Sequence, residues 1–301
     1  MLSYVSMLKY KRVGITVKSD LDQKDDSLQT IISAVRASGA EPLLDRGRSK
    51  GLPSAKGLPA FTSPKEIDLL LVLGGDGTIL RSVREFQDFS IPILTINRGN
   101  VGFLAEMSVD EVPDLLPKFL SGSGILDERS VLRVVARREK KILIDAFVLN
   151  EAVISQGSIA RLFDLRTTVN NELLTTFRAD GLILATPTGS TAYTLAAGGP
   201  VVEPHLSAII LTPINPHSFS QKPIVLPGDH CIEVEVLTKE NKFGGVDVSL
   251  TLDGQMYVTL QRHDMITATM GKQTVKFLRR KKETFYSTLR TKLKWGERPE
   301  E

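Results

Sequence analysis

Apolar residues in the first 125 positions alternate between two spacings, one typical of buried strands and one typical of helices. The strand-sized runs cover residues 11–17, 42–44, 67–73 and 91–96, and the stretches with helical spacing cover residues 27–38, 78–86 and 109–120. In the first of these helices Leu28, Ile31 and Val35 recur at helical spacing, and Gly39 follows as a stop signal. Strands that alternate with helices predict a parallel sheet covered by helices.

Residues 46–64 interrupt this alternation with a stretch rich in Gly, Pro, Ser and Lys. Because such a composition offers little to bury in a core, we predict a long mobile loop here. The loop would connect the second predicted strand to the third.

After Gly122 the pattern changes to short apolar runs separated by turn signals, such as those at 139–140, 170–171, 244–245 and 253–254. The predicted strands cover residues 131–138, 142–149, 164–169, 173–177, 182–186, 208–212, 231–237, 248–252, 257–260 and 265–269. Short strands at such regular spacing predict an all-β domain. Residues 283–295 then carry one apolar stripe of Phe285, Leu289 and Leu293, which predicts a final helix that packs against an already folded part.

The composition of the 301 residues narrows the class of protein. Hydrophobic residues make up 42% and charged residues 24%, as in ordinary globular proteins, and the length allows two domains at roughly 100–200 residues each. The single cysteine, Cys231, excludes a disulfide framework and a multi-cysteine zinc or iron–sulfur site. The sequence has no run of the roughly 18–20 apolar residues of a membrane span and no signal-peptide core, so we expect a cytoplasmic protein.

Charge and histidine spacing exclude two further classes. A net charge of +3 is too small to indicate a nucleic-acid-binding protein, and the basic cluster at 279–282 is expected to face water. The four histidines (His205, His217, His230 and His263) lack metal-binding spacing, which argues against a metalloenzyme.

The sequence GGDGT at residues 74–78 joins a buried-looking strand to a helix. Its three glycines allow the backbone to approach a phosphate, and the N-terminus of the following helix adds positive potential. A carboxylate beside a phosphate repels it unless a cation or a hydroxyl lies between them. Asp76 therefore suggests Mg²⁺ binding, or acceptance of a proton from an attacking hydroxyl. The structural alternative is a plain strand-to-helix turn capped by Asp or Thr.

Two short polar segments lie at predicted turns of the all-β region. Asn150 and Glu151 follow the strand 142–149 and supply donors and acceptors that suit a sugar diol or an adenine edge. The sequence DGQ at 253–255 adds another acidic side chain. The structural alternative to ligand binding is a simple turn for Asn150–Glu151 and a hairpin turn for the DGQ segment.

The block at residues 180–193 carries the densest group of small polar residues. A predicted strand leaves directly into a Gly/Ser/Thr turn, which groups hydroxyls with backbone N–H groups. Tyr193 adds a ring on which a base can stack. A short helix is predicted over 192–197, ended by the glycines at 198–199.

Together these motifs resemble the NAD kinase family, which transfers a phosphoryl group to the 2′-hydroxyl of the adenosine ribose of NAD to make NADP. The matching segments are 74–78 (GGDGT), 97–104 (NRGNVGFL), 150–151 (NE), 178–193 (RADGLILATPTGSTAY), 198–200 (GGP) and 253–255 (DGQ). Diacylglycerol and sphingosine kinases share the glycine turn, and phosphofructokinases nearly share it. The TPTGSTAY block is much more specific.

The resemblance implies a Rossmann-like α/β domain over residues 1–126 plus 276–301, and an all-β, β-sandwich-like NAD-binding domain over residues 127–275. The last helix would return to the first domain, and the active site would lie between the two domains. The implied substrates are NAD and ATP, or polyphosphate as donor, with Mg²⁺ or another divalent metal. A homodimer or homotetramer is implied, with no nucleic-acid or membrane partner.

The resemblance also implies roles for residues at matching positions. Asp76 would be the catalytic base or a metal-linked carboxylate, and Phe103 would line the adenine pocket. The residues implied to bind NAD are Asp76, Gly77, Phe103, Asn150, Glu151, Arg178, Asp180, Thr188, Thr191, Ala192, Tyr193, Asp253 and Gln255, and those implied to bind phosphates are Gly74, Gly75, Gly77 and Thr78.

Two positions depart from the family pattern. Ala196 stands where many members have Ser, so one hydroxyl contact to NAD is expected to be missing. Lys222, after Gln221, stands where an Arg is common; Lys keeps the charge but loses the bidentate fork.

Two other functions stay open on the sequence. A kinase with the same glycine turn that acts on a lipid or sugar would lack the TPTGSTAY block, and a substrate panel separates it. A non-catalytic NAD-sensing protein would have kept the pocket without turnover. The intact Asp76 argues against such a protein, and an assay with ATP and NAD decides.

Overall fold

The computed structural model describes residues 8–18, 24–47, 52–86, 89–98, 102–156, 163–237, 248–280 and 284–294. Some predicted features lie outside the described residues: positions 99–101 of the NRGNVGFL segment, positions 48–51 of the predicted loop, the turn at 244–245, and Lys281, Lys282 and Trp295. The chain divides into two compact units, Met1–Glu128 with Val275–Glu301, and Arg129–Thr274.

The first unit is built on a parallel sheet. Its elements are β1 (Arg12–Val17), β2 (Glu41–Asp45), β3 (Ala60–Phe61), β4 (Leu69–Leu73), β5 (Ile93–Asn97), β6 (Met107–Ser108), α1 (Lys24–Ala37), α2 (Asp76–Phe86) and α3 (Val112–Leu120), together with the end of β18 (Met265–Arg279) and the last helix, α5 (Thr284–Leu293). The strand order is β18–β5–β4–β1–β2–β3, with β6 beside β5, and each of these neighbouring pairs is parallel. The predicted α/β class of this region is confirmed.

Both faces of this sheet are covered by helices, which explains the unbroken apolar sequence of β4. Alternate strand residues such as Ile15 and Leu71 share one core with Leu116 of α3 and with α1. Leu70, which points to the opposite face, lines a small apolar cavity together with Val83 of α2. The period of two along a strand thus assigns its residues to the two faces in turn.

The predicted long loop at 46–64 is wrong for the described residues of that stretch. Pro53–Ala55 forms a 3-10 turn, and β3 pairs with the end of β2. Phe61 is 2% exposed, and its ring centroid lies 5.6 Å from that of Phe86. Composition averaged over the stretch hides this residue, because one large aromatic side chain is enough to anchor a short strand.

The second unit consists of antiparallel strands. Its elements are β7 (Ile125–Arg138), which begins in the first unit, β8 (Lys141–Val148), β9 (Glu151–Gln156), β10 (Phe163–Val169), β11 (Glu172–Ala179), β12 (Gly181–Ala185), α4 (Tyr193–Ala196), β13 (Ala208–Ile214), β14 (Ile224–Pro227), β15 (Ile232–Val236), β16 (Val248–Leu252), β17 (Met256–Leu260) and the start of β18. One sheet has the order β14–β13–β12–β9–β16–β17. The other has the order β11–β10–β15–β18, with β7 paired to both β18 and β8.

Side chains from both sheets of the second unit form one core. Leu165 and Val234 of one sheet share it with Ile154, Leu184 and Leu250 of the other. Two antiparallel sheets that face each other across such a core make a β-sandwich, so the predicted fold class is confirmed for this region also.

The strands β6, β9 and β14 were missed by the sequence pattern. β9 has the sequence EAVISQ, and its first four residues are buried, so the alternation that marks a half-buried strand is lost. The strand β18 continues to Arg279, ten residues past its predicted end. Among the described helices, none combines the length and the apolar character needed to cross a lipid bilayer.

Candidate active site

The glycine turn connects the end of β4 to the start of α2 in the first unit. The Gly74 N–H donates to the carbonyl of Ile96 on the neighbouring strand, at 2.9 Å. A Cβ at position 74 would collide with the side chain of Thr78. Gly74 is therefore required by close packing inside the turn.

Gly75 and Gly77 have no such packing reason. A Cβ added to either would meet no heavy atom within 4 Å among the described residues. Gly77 is exposed in the first turn of α2, where Ala would favour the helix by about 1 kcal/mol. A glycine that weakens the helix, as Gly77 does, with no packing reason among the described residues points to a ligand that approaches the bare backbone. The dipole at the start of this 11-residue helix provides a positive potential that suits an anion.

The Asp76 side chain turns towards the segment 102–104 of the same unit. Its Oδ2 accepts a hydrogen bond from the Phe103 N–H at 3.1 Å, and its Oδ1 accepts one from the Leu104 N–H at 3.3 Å. A Cβ at Gly102 would collide with this carboxylate. The structure thus brings together two residues that the sequence assigned to one site, Asp76 and the half-buried Phe103. It also explains why position 102, within the NRGNVGFL segment, is a glycine.

In the second unit, the Asp253 carboxylate organises the turn between β8 and β9. Its Oδ2 accepts from the Leu149 N–H at 2.9 Å, and its Oδ1 accepts from the N–H groups of Asn150 at 2.9 Å and Glu151 at 3.0 Å. Asp253 and Gly254 both have positive φ, at 47° and 65°, in the hairpin between β16 and β17. The expected hairpin turn is present, and it also holds the neighbouring pair Asn150–Glu151.

Asn150 and Glu151 are 9% and 8% exposed. Asn150 Oδ1 and Glu151 Oε2 are buried and have no hydrogen-bond partner among the described residues. Burial, followed by the nearby Asp253 carboxylate, raises the pKa of Glu151 to about 8, against an opposing hydrogen bond from the Tyr193 N–H. Glu151 is therefore mostly protonated at neutral pH, and can donate as well as accept a hydrogen bond.

The TPTGSTAY block packs directly on this pair. Thr186 Oγ1 donates to the Leu149 carbonyl at 2.5 Å, and the Thr186 N–H donates to the Asn150 carbonyl at 2.9 Å. A Cβ at Gly189 would collide with the Asn150 carbonyl, so this glycine is needed where the two segments of the backbone pass close to each other. The Ser190 hydroxyl is fully buried and bridges the N–H and carbonyl of Val202. Much of this sequence block therefore serves to hold the turn that carries Asn150 and Glu151.

The 3-10 turn Thr188–Thr191 leads into α4, and Ala192 joins the two. The Thr191 hydroxyl donates to the Thr188 carbonyl at 3.3 Å. Tyr193, at the start of α4, is 44% exposed, so its ring is free to meet a ligand. Gln255 follows Asp253 in the β16–β17 hairpin, and its N–H donates to the Leu252 carbonyl at 2.9 Å.

Sequence reasoning missed Arg129 as a residue of this site. Arg129 is 6% exposed, and its Nη1 donates to Thr188 Oγ1 at 3.5 Å. No local signal marks it, since it lies in an ordinary strand sequence 59 positions before Thr188.

Arg178 and Asp180 lie apart from this cluster. They precede β12, whereas the TPTGSTAY block follows it, and a five-residue strand spans roughly 17 Å. Arg178 is exposed, and Asp180 Oδ2 accepts from Asn215 Nδ2 at 3.1 Å. Within one chain, the structure does not bring these two residues to Asn150 and Glu151.

The two departures from the family pattern are both at the surface. Ala196 is exposed at the end of α4. Lys222 places its Nζ 4.5 Å from the centre of the Phe219 ring, and Phe219 is 89% exposed.

Comparisons with known proteins agree on one family. The models of the ATP-NAD kinase N-terminal and C-terminal domains match residues 54–123 and 149–280. NAD kinase from Geotalea daltonii is 37% identical over 288 residues, which is 96% of this chain and 100% of the relative. NAD kinase from Trichlorobacter lovleyi is 39% identical over 257 residues, covering 85% of this chain and 89% of the relative.

Two solved structures share the fold. A crystal structure of yeast NADH kinase complexed with NADH has a TM-score of 0.85 and 26% identity, covering 96% of this chain and 89% of the other. A crystal structure of an NAD kinase from Archaeoglobus fulgidus in complex with ATP has a TM-score of 0.72 and 27% identity, covering 93% and 99%.

Proposed function

Since the chain belongs to the NAD kinase family, we propose that it transfers the γ-phosphoryl group of ATP to the 2′-hydroxyl of the adenosine ribose of NAD, releasing NADP and ADP. The observation that carries this proposal is a pairing of two features. The glycine turn has two glycines without a packing role, and the buried Asn150–Glu151 pair has polar atoms without partners among the described residues. The first feature suits a triphosphate and the second a nucleoside.

The donor phosphates bind at the glycine turn in this proposal. Gly74 and Thr78 fix the shape of the turn, and Gly75 and Gly77 leave the backbone open to phosphate oxygens. The positive potential at the start of α2 then stabilises the charge on those oxygens.

The dinucleotide binds at the pocket of the second unit. Asn150 offers an amide, and protonated Glu151 offers a donor and an acceptor, to the adenine edge and the ribose hydroxyls. The Tyr193 ring stacks on a base, and Thr188, Thr191, Ala192, Asp253 and Gln255 complete the walls. Arg178 and Asp180 stay proposed NAD-binding residues, although they lie at the other end of β12.

Asp76 is the proposed general base. The 2′-oxygen of the ribose attacks the γ-phosphorus, its proton passes to the Asp76 carboxylate, and the bond from the γ-phosphorus to the bridging oxygen of ADP breaks. The N–H groups of Phe103 and Leu104 fix the direction of the carboxylate, and each oxygen keeps a second lone pair for the proton. Orientation of both reactants accounts for up to about 7–11 kcal/mol of the barrier in favourable cases.

A divalent metal fits this turn as a nucleotide-bound ion. Among the described residues, no group of three or more His, Cys, Asp or Glu side chains is arranged to hold a metal by itself. Mg²⁺ commonly needs only one or two carboxylates besides phosphates and water, and Asp76 supplies one. When bound, the ion would neutralise charge on the phosphates, and the protein would hold it through Asp76.

We also propose that the chain forms a homodimer or homotetramer. The edge strand β11 exposes Leu173 (60%) and Leu174 (38%), an apolar strand edge that self-association would cover. Light scattering of the purified chain tests this, since a single species of 33.1 kDa would contradict it. The cytoplasmic location stays a prediction.

A coupled assay for NADP formation by the purified chain tests the function. NAD or NADH is supplied as acceptor, with ATP or polyphosphate as donor, and lipids and sugars are included as other acceptors. We expect NADP from NAD and ATP. Product from a lipid or sugar alone, or NAD binding with no turnover, would contradict the proposal.

The Asp76→Asn variant tests the base. It keeps the size of the side chain and one of the two acceptor oxygens, and we expect turnover to fall by about 10²–10⁴-fold while calorimetry still detects NAD binding. Asp110→Asn, an exposed carboxylate of the same unit, serves as control. Near-normal turnover of Asp76→Asn would exclude the assigned role.

A further inference from the structure

The backbone segment 102–104, which donates hydrogen bonds to Asp76, accepts hydrogen bonds on its carbonyl side. The Leu104 N–H donates to Asp76, while the Leu104 carbonyl accepts hydrogen bonds from Thr95 Oγ1 at 2.7 Å and from Arg279 Nη1 at 3.1 Å. Thr95 lies in β5 and Arg279 at the end of β18, and both are at most 3% exposed. Two buried donors from different strands thus converge on one carbonyl.

Arg279 also belongs to a buried group of charges, so the expectation that the basic cluster at 279–282 faces water is wrong for this residue. Its Nη1 donates to the Ala105 carbonyl and to Glu106 Oε2, both at 3.3 Å, and its Nε donates to Asp127 Oδ2 at 3.3 Å. Glu106 in turn accepts from the Arg280 N–H at 2.9 Å. Burying such charges gains little stability over apolar packing, since desolvation offsets the attraction. What this network does achieve is a fixed position for the backbone at 104–106.

We propose that Thr95 and Arg279 are positioning residues for phosphoryl transfer, an inference that rests on the proposed function. They fix the carbonyl side of the segment, and the N–H side of the same segment orients the Asp76 carboxylate. Neither residue touches a substrate in this proposal. Their effect on the reaction passes through the backbone of Phe103 and Leu104.

Loss of one of these donors lets the segment shift, and Asp76 shifts with it. Displacements of about 1 Å at a reacting group can lower the rate by about 100-fold, so a partial release should be visible in kcat. The phosphate and nucleoside contacts proposed above do not involve Thr95 or Arg279. The KM for ATP should therefore change less than kcat, whereas the KM for NAD also responds to any shift of Phe103, the residue implied to line the adenine pocket.

Two substitutions at Thr95 separate positioning from packing. Thr95→Ser keeps the hydroxyl and loses a methyl group, whereas Thr95→Val keeps the shape and the β-branched side chain and loses the hydroxyl. In Thr95→Val the Leu104 carbonyl still accepts from Arg279, so no buried carbonyl loses all its donors. If Thr95 acts through packing, Thr95→Val should keep the higher kcat. If it acts through positioning, Thr95→Ser should keep the higher kcat.

The experiment measures kcat, KM for ATP, KM for NAD and thermal unfolding of the full chain. For Thr95→Val we expect kcat about 10-fold below wild type with KM for ATP within about twofold, and for Thr95→Ser a kcat within about threefold of wild type. Thr16→Val is the matched control: Thr16 is fully buried in β1, and its hydroxyl donates to Asp45 Oδ2 at 2.9 Å, away from the 102–106 segment. We expect this control to keep wild-type kcat.

A kcat for Thr95→Val equal to or above that of Thr95→Ser would overturn the proposal, as would an equal loss in Thr16→Val. Arg279→Lys gives a second measurement, because a single ammonium group keeps the charge but cannot reach both carbonyls and both carboxylates. We expect its kcat to fall by about 10-fold as well, and wild-type kcat in a folded Arg279→Lys would contradict the role of Arg279. Failure of the wild-type chain to make NADP is a separate result, which removes the proposed function itself.

Discussion

The Asp253 carboxylate holds the backbone of Glu151 in place while its charge disfavours ionisation of the Glu151 side chain. The Glu151 N–H donates to Asp253 Oδ1 at 3.0 Å, across 102 positions of sequence. The Asp253 N–H donates back to the Glu151 carbonyl at 2.9 Å. One carboxylate therefore supports the backbone of the proposed nucleoside pocket and helps to keep its neighbour protonated.

Replacing Asp253 by Asn should destabilise the second unit. An amide presents NH₂ in place of one oxygen, so at least one of the three backbone N–H donors faces another donor. We expect the free energy of unfolding to fall by about 1.5–3 kcal/mol in chemical denaturation and NAD affinity to weaken in calorimetry. Asp229→Asn, at an exposed turn of the same unit, should change neither quantity. Equal unfolding curves for the two variants would argue against this role of Asp253.

The raised pKa of Glu151 should make the protein less stable as pH rises. The pKa is about 8 in the folded chain and near 4.5 when exposed, so the folded state binds the extra proton between these values. The resulting stabilisation is complete below about pH 4.5 and is lost as pH rises through about 8, at up to about 1.4 kcal/mol per pH unit.

Glu151→Gln removes this titration, because Gln is neutral at every pH. Urea unfolding at pH 5, 7 and 9 should show wild type losing stability relative to Glu151→Gln as pH rises. Glu172→Gln, on the exposed edge strand β11, should follow wild type at all three pH values. A constant difference between wild type and Glu151→Gln would show that Glu151 does not titrate in this range.

Alanine at two glycines of the turn should have opposite effects. Gly77→Ala should keep or raise stability, since Ala favours a helix by about 1 kcal/mol and a Cβ there meets no described atom within 4 Å. The added Cβ should raise KM for ATP by about 10-fold or more, the equivalent of one charge-assisted hydrogen bond. Gly74→Ala should instead lower the unfolding temperature, because its Cβ collides with Thr78. Wild-type KM for ATP in Gly77→Ala would remove phosphate binding from this position.

The exposed ring of Tyr193 should contribute to NAD affinity without contributing to stability. Tyr193→Ala should raise KM for NAD by about 3- to 10-fold, in line with about 0.5–1.5 kcal/mol for aromatic stacking, and Tyr193→Phe should restore most of it. Tyr257 is 79% exposed in β17 of the same unit, so Tyr257→Ala is a matched control that should leave KM unchanged. Thermal unfolding of all three variants should match wild type, and a KM for NAD in Tyr193→Ala equal to that of the control would refute stacking.

The local pattern of apolar residues was enough to predict the fold class, because a window of about a dozen residues distinguishes a strand from a helix. The change from alternating strands and helices to short strands alone follows from reading these windows in order. It failed where a few contacts override composition, as at Phe61, or where a strand is buried on both faces, as in β9. The proposed site likewise has parts that local sequence predicts and parts that distant contacts set. The glycine turn and the TPTGSTAY block are contiguous and could be found by inspection.

The amino-acid sequence by itself determined which residues have the right chemistry: the glycines at 74, 75 and 77, Asp76, Asn150 and Glu151. Only the tertiary structure decided how they are held, because the groups that hold them are distant in sequence. Asp253 fixes a turn about 100 positions away, and Arg279 fixes a segment 175 positions away. Burial then set the protonation of Glu151, and burial depends on every element packed around a side chain.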